Sequence, residues 1–310
     1  MFHPFLHRFI NYFFMKNTLV LVTVASLALF SACAVKPKAS FTTPQQKVAA
    51  PATVSFSNTS VKAEKYEWDF GDGSEISTEA NPSHRYMHSG NFNVVLKATA
   101  GNKTTTYKQI MQVTAPERCL IEIQTSQGNM IAELFSATPK HRDNFVKLAE
   151  EGYFDDLLFH RVIAGFMVQG GDPNSRGAKP GQQLGFGGPS YKIPAEFVDS
   201  LVHVKGSLAA ARDGNPQKAS SASQFYIVQG SGPIGDDQLN MLEAQKGFRY
   251  STEQREAYKI MGGTPFLDRD YTVFGRIIEG LEIVDKIAGV KTGPNDRPVE
   301  DVKMKIRVIK

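Results

Sequence analysis

At 310 residues the chain has room for two domains with separate cores. Its formal net charge is +4, and setting aside Arg8 and Lys16 of the acid-free first 32 residues leaves +2. No run of five or more Lys or Arg occurs, so a basic face for nucleic acid is disfavoured and no such partner is expected.

Lys16 precedes twelve mostly apolar residues, Leu19 to Phe30, and then Ser31-Ala32-Cys33. That run is too short to cross a bilayer as a helix, and residues 1–32 fit a signal peptide. The small residues before Cys33 resemble the lipobox of bacterial lipoproteins, with Phe30 where Leu is usual. The resemblance implies acylation of Cys33 and a membrane as partner. Ala34 stands where an acidic residue would favour the inner membrane, which points to the outer membrane facing the periplasm. The alternative, an uncleaved anchor joining Phe9–Phe14 to the second run, would bury Lys16. Met15-Lys16-Asn17 makes a more ordinary start than Met1, and both starts stay open. With Cys33 acylated, Cys119 is the remaining thiol and no disulfide framework can form. Cys119 opens a strand-like run and reads as a small core or edge residue.

Residues 33–36 leave a tether on the order of 15 Å. Behind it, Thr53–Ser57 and Phe92–Leu96 have strand character, and Gly71-Asp-Gly73 marks a turn. Glu67-Trp-Asp-Phe-Gly-Asp-Gly73, Pro82-Ser-His-Arg-Tyr86 and Gly90–Ala98 resemble a PKD domain, an immunoglobulin-like β-sandwich, over residues 37–115. Trp68 then belongs to the sandwich core and His84 ties a loop. Asp69 and Asp72 read as turn formers, with Ca²⁺ binding as the alternative. The joint Thr114–Glu117 is as short as the tether, and Pro116 stiffens it. The sandwich reads as a spacer, or else as a module for a protein or glycan ligand.

A helix is predicted over 138–152, with Thr138 as cap, Pro139 in the first turn, Phe145, Leu148 and Ala149 at helical spacing, and Gly152 as stop. The segment Leu158–Pro173 then sets Arg161 and Gln169 among Phe159, Val162, Ile163, Phe166, Met167 and Val168. Strand alternation can bring Arg161, Met167 and Gln169 to one side of neighbouring strands. Such a site offers a cation on an apolar wall and no nucleophile–base pair, since His160 points to the opposite face of an extended segment. Further blocks are Gly206–Ala211, Ser223–Ile227, Phe266–Asp268 and Val273–Ile277. Between Gln229 and Thr264 lies an insertion, about residues 230–263. Ser251-Thr-Glu-Gln254 is a capping-box pattern there, followed by Ala257, Tyr258 and Met261 and closed by Gly262-Gly263. It reads as decoration packed on the domain, with a lid or substrate rest as the alternative.

In this order the blocks resemble the cyclophilins, the peptidyl-prolyl cis–trans isomerases of bacterial type. The resemblance covers residues 116–310 and implies a mainly β chain: the PKD sandwich, then a closed antiparallel β-barrel capped by two helices, with the helical insertion. It implies a catalytic set of Arg161, Gln169 and Phe166, and substrate contacts by Met167, Ala211, Arg212, Gln224, Tyr226, Phe266, Leu267 and Tyr271. Phe166, Met167, Tyr226, Phe266 and Leu267 would grip the proline ring. Gln169 would orient Arg161 and touch the substrate carbonyl, and the Ala211–Arg212 backbone would pair with the residue before proline. Three positions depart from the family: Phe266 replaces a common Trp, Tyr226 replaces Phe and adds a hydroxyl near the pocket rim, and Tyr271 replaces a pocket-edge His. No cofactor or metal is implied.

The partners implied are proline-containing segments of exported proteins. The competing reading is a scaffold that holds such segments without turnover while the PKD unit supplies affinity.

Overall fold

The computed structural model describes residues 36–310; the expected signal sequence and Cys33 lie outside the described residues. Among the described residues no helix is long and apolar enough to cross a membrane.

The first unit contains β1 (Phe41–Thr42), β2 (Lys47–Ala49), β3 (Ala52–Ser55), β4 (Ser57–Asn58), β5 (Lys65–Asp69), β6 (Ser83–Tyr86), β7 (Gly90–Ala100) and β8 (Lys103–Thr114). β2, β8, β7 and β5 form one sheet in that order, and the pairs β3–β6 and β1–β4 complete the sandwich. Alternation in β5 buries Trp68 while Glu67 and Asp69 face solvent. Trp68 Nε1 donates to the Glu79 carbonyl at 2.9 Å, and Tyr86 Oη donates to the Phe70 carbonyl at 3.1 Å. Both polar handles are thus satisfied inside the core. Asp69 Oδ1 accepts the Gly71 amide, and Asp72 pairs with His84 at 2.7 Å. The His84 ring stacks on Phe70 with centroids 4.0 Å apart, so it does tie this loop.

The second unit runs β9 (Cys119–Thr125), β10 (Gly128–Leu134), α1 (Pro139–Glu150), β11 (Leu157–Ile163), β12 (Met167–Gly170), β13 (Lys192–Ile193), β14 (Ser207–Ala210), β15 (Ser220–Ser221), β16 (Phe225–Val228), α2 (Asp236–Lys246), α3 (Thr252–Met261), β17 (Val273–Glu279), α4 (Leu281–Ala288) and β18 (Lys303–Ile309). Eight of these strands close a barrel in the order β10-β17-β14-β16-β12-β11-β18-β9. Its interior holds Ile121, Ile123, Met130, Val168, Leu208, Phe225, Ile227 and Ile306, and helices α1 and α4 add Phe145, Leu148, Val284 and Ile287 to the same cluster. An eight-stranded barrel is just wide enough to be filled by side chains. Cys119 is a partly buried free thiol at the start of β9, and burial raises its pKa.

Thr138 is the N-cap of α1, but its hydroxyl donates to the Phe135 carbonyl instead of capping. The open amides of Lys140 and His141 are taken by the Glu196 carboxylate at 3.1 and 3.0 Å, an anion where the helix dipole favours one. The insertion holds two helices where periodicity indicated one. Its α3 carries the complete capping box of Ser251 and Gln254, whereas α2 buries only Leu239.

The two units share apolar surface. Leu120, Ile131 and Ile309, on the outer faces of β9, β10 and β18, belong to the cluster built around Trp68 and Phe41. Arg85 and Glu279 bridge the units at 2.5 Å, and the Ser89 amide donates to the Lys310 carbonyl. A shared core predicts coupled unfolding. Residues 36–310 are expected to melt in one calorimetric transition, and Ile131→Ala to cost about 2–4 kcal/mol and separate it into two. Two resolved transitions in the wild type would show that the shared cluster does not couple the units.

Candidate active site

The strand period assigns each residue near the site to one of two faces. On β12, β14 and β16, Val168, Leu208, Ala210, Phe225 and Ile227 point into the barrel. Their neighbours Met167, Ala209, Ala211, Tyr226 and Val228 form a second cluster outside it, joined by Leu267 and Val273 and flanked by Phe166 and Tyr271. The outer cluster is an apolar floor on a closed barrel.

Strict alternation would place Arg161 inside, because Phe159 on the same strand belongs to the barrel core. The ladder between β11 and β12 slips at His160: Phe159 pairs with Gly170, and Arg161 already pairs with Gln169. The extra residue reverses the phase, so Val162 points inward and Arg161 outward, beside the apolar floor. His160 takes the buried side, 4% exposed, with neither ring nitrogen in hydrogen-bonding geometry to a partner.

Arg161 Nε donates to Asp296 Oδ2 at 3.3 Å across the surface, both side chains being nearly half exposed. Asp296 stands in the turn Pro294–Asp296, where Asn295 and Asp296 both have positive φ, 60° and 58°. The amide of Gln169 lies beside Arg161 but donates to Gln224 Oε1 at 3.1 Å. Gln224 in turn donates to the Gly185 and Gly187 carbonyls at 2.9 and 2.8 Å. Asp296, which sequence reasoning did not single out, therefore holds the guanidinium, while Gln169 is held by Gln224. A lone acid in a Pro-Asn-Asp turn carries no local signal of that contact.

Phe166 lies on the turn between β11 and β12, with its ring centroid 5.6 Å from that of Phe266. Tyr226 is 4% exposed, and its hydroxyl lies 3.0 Å from His203 Nε2, away from the pocket rim. That corrects the expectation from sequence: the hydroxyl turns to a buried partner and not to the pocket rim. Arg212 lies over the Tyr271 ring at 4.7 Å, fixed by its bond to the Asp270 carbonyl at 2.8 Å. Two clefts, about 380 and 430 Å³, open on either side of Gln169 and are divided by the loop carrying Gly185 and Phe186.

Residues 120–308 match the family described as cyclophilin type peptidyl-prolyl cis-trans isomerase/CLD, and residues 34–115 match the PKD domain. The chain belongs to the cyclophilin-type peptidyl-prolyl cis–trans isomerases. A curated Staphylococcus aureus peptidyl-prolyl cis-trans isomerase is 36% identical over 197 residues, which is 63% of this chain and 94% of that protein. A Streptococcus pyogenes protein, named as a bifunctional phosphatase/peptidyl-prolyl cis-trans isomerase, is 41% identical over 186 residues. That match takes in 59% of this chain and only 37% of the streptococcal protein. A solved Cryptosporidium parvum cyclophilin-type isomerase aligns with 62% of this chain and 98% of its own at 24% identity, with a TM-score of 0.45.

The cyclophilin domain also holds a buried Ser220–His141–Glu196 chain, with Ser220 Oγ 3.0 Å from His141 Nε2 and His141 Nδ1 2.7 Å from Glu196. Its connectivity is that of a nucleophilic triad, but Ser220 is 1% exposed and no substrate carbonyl can reach it. The chain is a strut that ties α1 to β15. Among the described residues no group of three or more His, Cys, Asp or Glu is placed to hold a metal.

Burial pushes the His160 pKa down from 6.5 to about 4, outweighing the pull of Asp172 and of the Leu158 carbonyl. Burial also lowers that of His141. Between those two values the unfolded chain binds a proton that the folded His160 refuses. Its contribution is therefore complete above pH 6.5 and falls as pH drops toward 4, by roughly 3 kcal/mol. Urea midpoints should drop steeply from pH 7.5 to 4.5, and His160→Leu should narrow the drop; an undiminished drop in the variant would refute this assignment.

Proposed function

We propose that the chain is a lipid-anchored prolyl isomerase that speeds X–Pro bond rotation in exported proteins, with Arg161 acting on the twisted amide. The observation that carries this reading is the outward Arg161 beside an apolar floor of Met167, Tyr226 and Leu267.

An X–Pro bond is held by amide resonance, with a barrier of roughly 18–20 kcal/mol. No covalent bond needs to break. At the top of the barrier the proline nitrogen is pyramidal and has regained its lone pair, and a guanidinium N–H aimed at it binds most strongly there. Asp296 takes the Nε of Arg161, which leaves the Nη groups as the donors for substrate. Arg stays charged and offers several N–H donors in a fixed planar fork, which the ammonium of Lys does not. A millionfold acceleration needs roughly 8 kcal/mol, more than one hydrogen bond supplies. Phe166, Met167, Tyr226, Phe266 and Leu267 grip the proline ring, and Gln169 and the Ala211–Arg212 backbone align the flanking peptide. Arg212, Gln224 and Tyr271 stiffen the rim.

In a protease-coupled assay of the purified full chain on Ala-Pro peptides, Arg161→Ala is expected to lower kcat/KM about tenfold or more with peptide affinity nearly intact. A wild type inactive on several X–Pro peptides would leave a scaffold that only binds, and the PKD unit would become the source of specificity.

The anchor rests on Cys33 and the apolar run before it. Lys38 already pairs with Val61, so the tether that follows an acylated Cys33 is only a few residues long and the sandwich sits close to the bilayer. Cys33→Ala is expected to move the protein from the outer-membrane fraction to the soluble periplasm, and retention in the membrane would remove the lipid-anchor reading.

A further inference from the structure

The insertion leaves and re-enters the barrel at one point. Gly230 and Gly263 approach so closely that a Cβ on Gly230 would lie 2.8 Å from the Gly263 nitrogen. Between these stems α2 and α3 bury Leu239, Tyr250 and Tyr258 in a small core of their own with Ile234. From that core three polar side chains reach one target, the segment Pro265–Asp268 that carries Phe266 and Leu267.

Lys246 Nζ lies 2.7 Å from the Phe266 carbonyl, 2.9 Å from the Asp268 carbonyl and 2.6 Å from Asp270 Oδ2. An ammonium has three N–H donors, and all three are spent on this one stretch. Tyr250 Oη lies 3.2 Å from the Pro265 carbonyl and 2.9 Å from Asp268 Oδ2, and Tyr258 Oη donates to Asp268 Oδ2 at 2.6 Å. Burial first, and then Asp268, push the pKa of both phenols up, so both remain donors. The other carboxylate oxygen, Oδ1, accepts the His203 amide at 2.9 Å and His203 Nδ1 at 2.7 Å. A buried Asp268 thus has four donors around two oxygens. With Nδ1 held against the carboxylate, the other ring nitrogen of His203, Nε2, lies 3.0 Å from the Tyr226 hydroxyl.

We propose that the insertion is the positioning element of the proline pocket, with Lys246, Tyr250 and Tyr258 holding Phe266 and Leu267 directly and the Tyr226 ring through Asp268 and His203. The proposal rests on the isomerase reading for the meaning of that pocket. It assigns the insertion neither to decoration nor to a mobile lid. The contacts from Lys246, Tyr250 and Tyr258 are made to backbone carbonyls, to buried Asp268 and to half-buried Asp270, and a lid would have to break them at each opening. Lys246, Tyr250 and Tyr258 are positioning residues: their own contacts are to protein groups.

The test compares the full chain with Tyr250→Phe/Tyr258→Phe, with Lys246→Met, and with Ile123→Ala as a control that loosens the barrel core at β9, on the half facing the sandwich. Affinity for an Ala-Ala-Pro-Phe p-nitroanilide peptide is read by NMR titration, turnover by the protease-coupled assay, and stability by thermal melting. Both insertion variants are expected to weaken peptide binding and raise KM about fivefold with kcat changed less than twofold, while the control, matched in its loss of melting temperature, keeps wild-type affinity. Wild-type affinity in both insertion variants, or an equal loss in the control, would overturn the proposal. Because affinity is measured independently of turnover, an inactive wild type would sink the isomerase reading and still leave the positioning role decided.

Discussion

Closure of the eight-stranded barrel is the constraint on which the rest depends. Once β9 pairs with both β10 and β18, there is no free edge, and the interior is consumed by Ile121, Ile123, Phe225, Ile227 and their neighbours. A peptide can therefore be handled only on the outer surface. Alternate residues of β12, β14 and β16 supply an apolar floor there at no expense to the core. A charge must then be delivered to the same face by a strand whose phase points it inward. The one-residue slip at His160 does this, and it buries an imidazole beneath the Gly185 loop as the consequence. The acid lability expected of this domain and the outward aim of its guanidinium are thus two results of one bulge.

Two carboxylates near the pocket work at opposite ends of the energy scale. The Arg161–Asp296 pair is exposed on both sides, and such pairs are worth about 0–1 kcal/mol. It can orient the guanidinium in the empty site and yield it to substrate with little loss. Asp268 is buried with four donors, and removing a partner from a buried charge costs several kcal/mol. It cannot serve as a gate. What it does is hold the Phe266–Leu267 turn and the Tyr226 ring in one geometry, with the guanidinium as the adjustable part. A catalyst for bond rotation needs that division, because the proline ring must stay fixed while the adjoining peptide turns.

Much of this was legible in the sequence, for local reasons. Trp68 and the turn residues around it declare a sandwich, Ser251 and Gln254 declare a helix start, and the Phe159–Gln169 run declares paired strands. What escaped was set by contacts between distant residues. The bulge at His160 exists only relative to a partner strand, so alternation within the segment could not reveal it. Asp296 meets Arg161 across 135 residues, and Asp268 meets His203 across 65. Helix α2 escaped because it buries one residue, Leu239, too few for a periodic signal. The Tyr226 hydroxyl was misplaced for the same reason, since its partner His203 is 23 positions away.

The strand order also separates the two tasks of the barrel. Going round the ring, β11, β12, β16 and β14 are consecutive and carry the site, while β18, β9, β10 and β17 are consecutive and face the sandwich. The sandwich therefore covers the half of the barrel that has no pocket. Leu120, Ile131 and Ile309 would otherwise expose apolar surface there, so the same packing that protects the barrel also fixes its direction. A flexible linker would let the barrel turn freely against the sandwich. A domain joined by a shared core, with a joint of only a few residues after Thr114, keeps its pocket on the side away from the sandwich contact. On this argument the sandwich sets the orientation of the barrel, and the open half that carries Arg161 stays turned away from it.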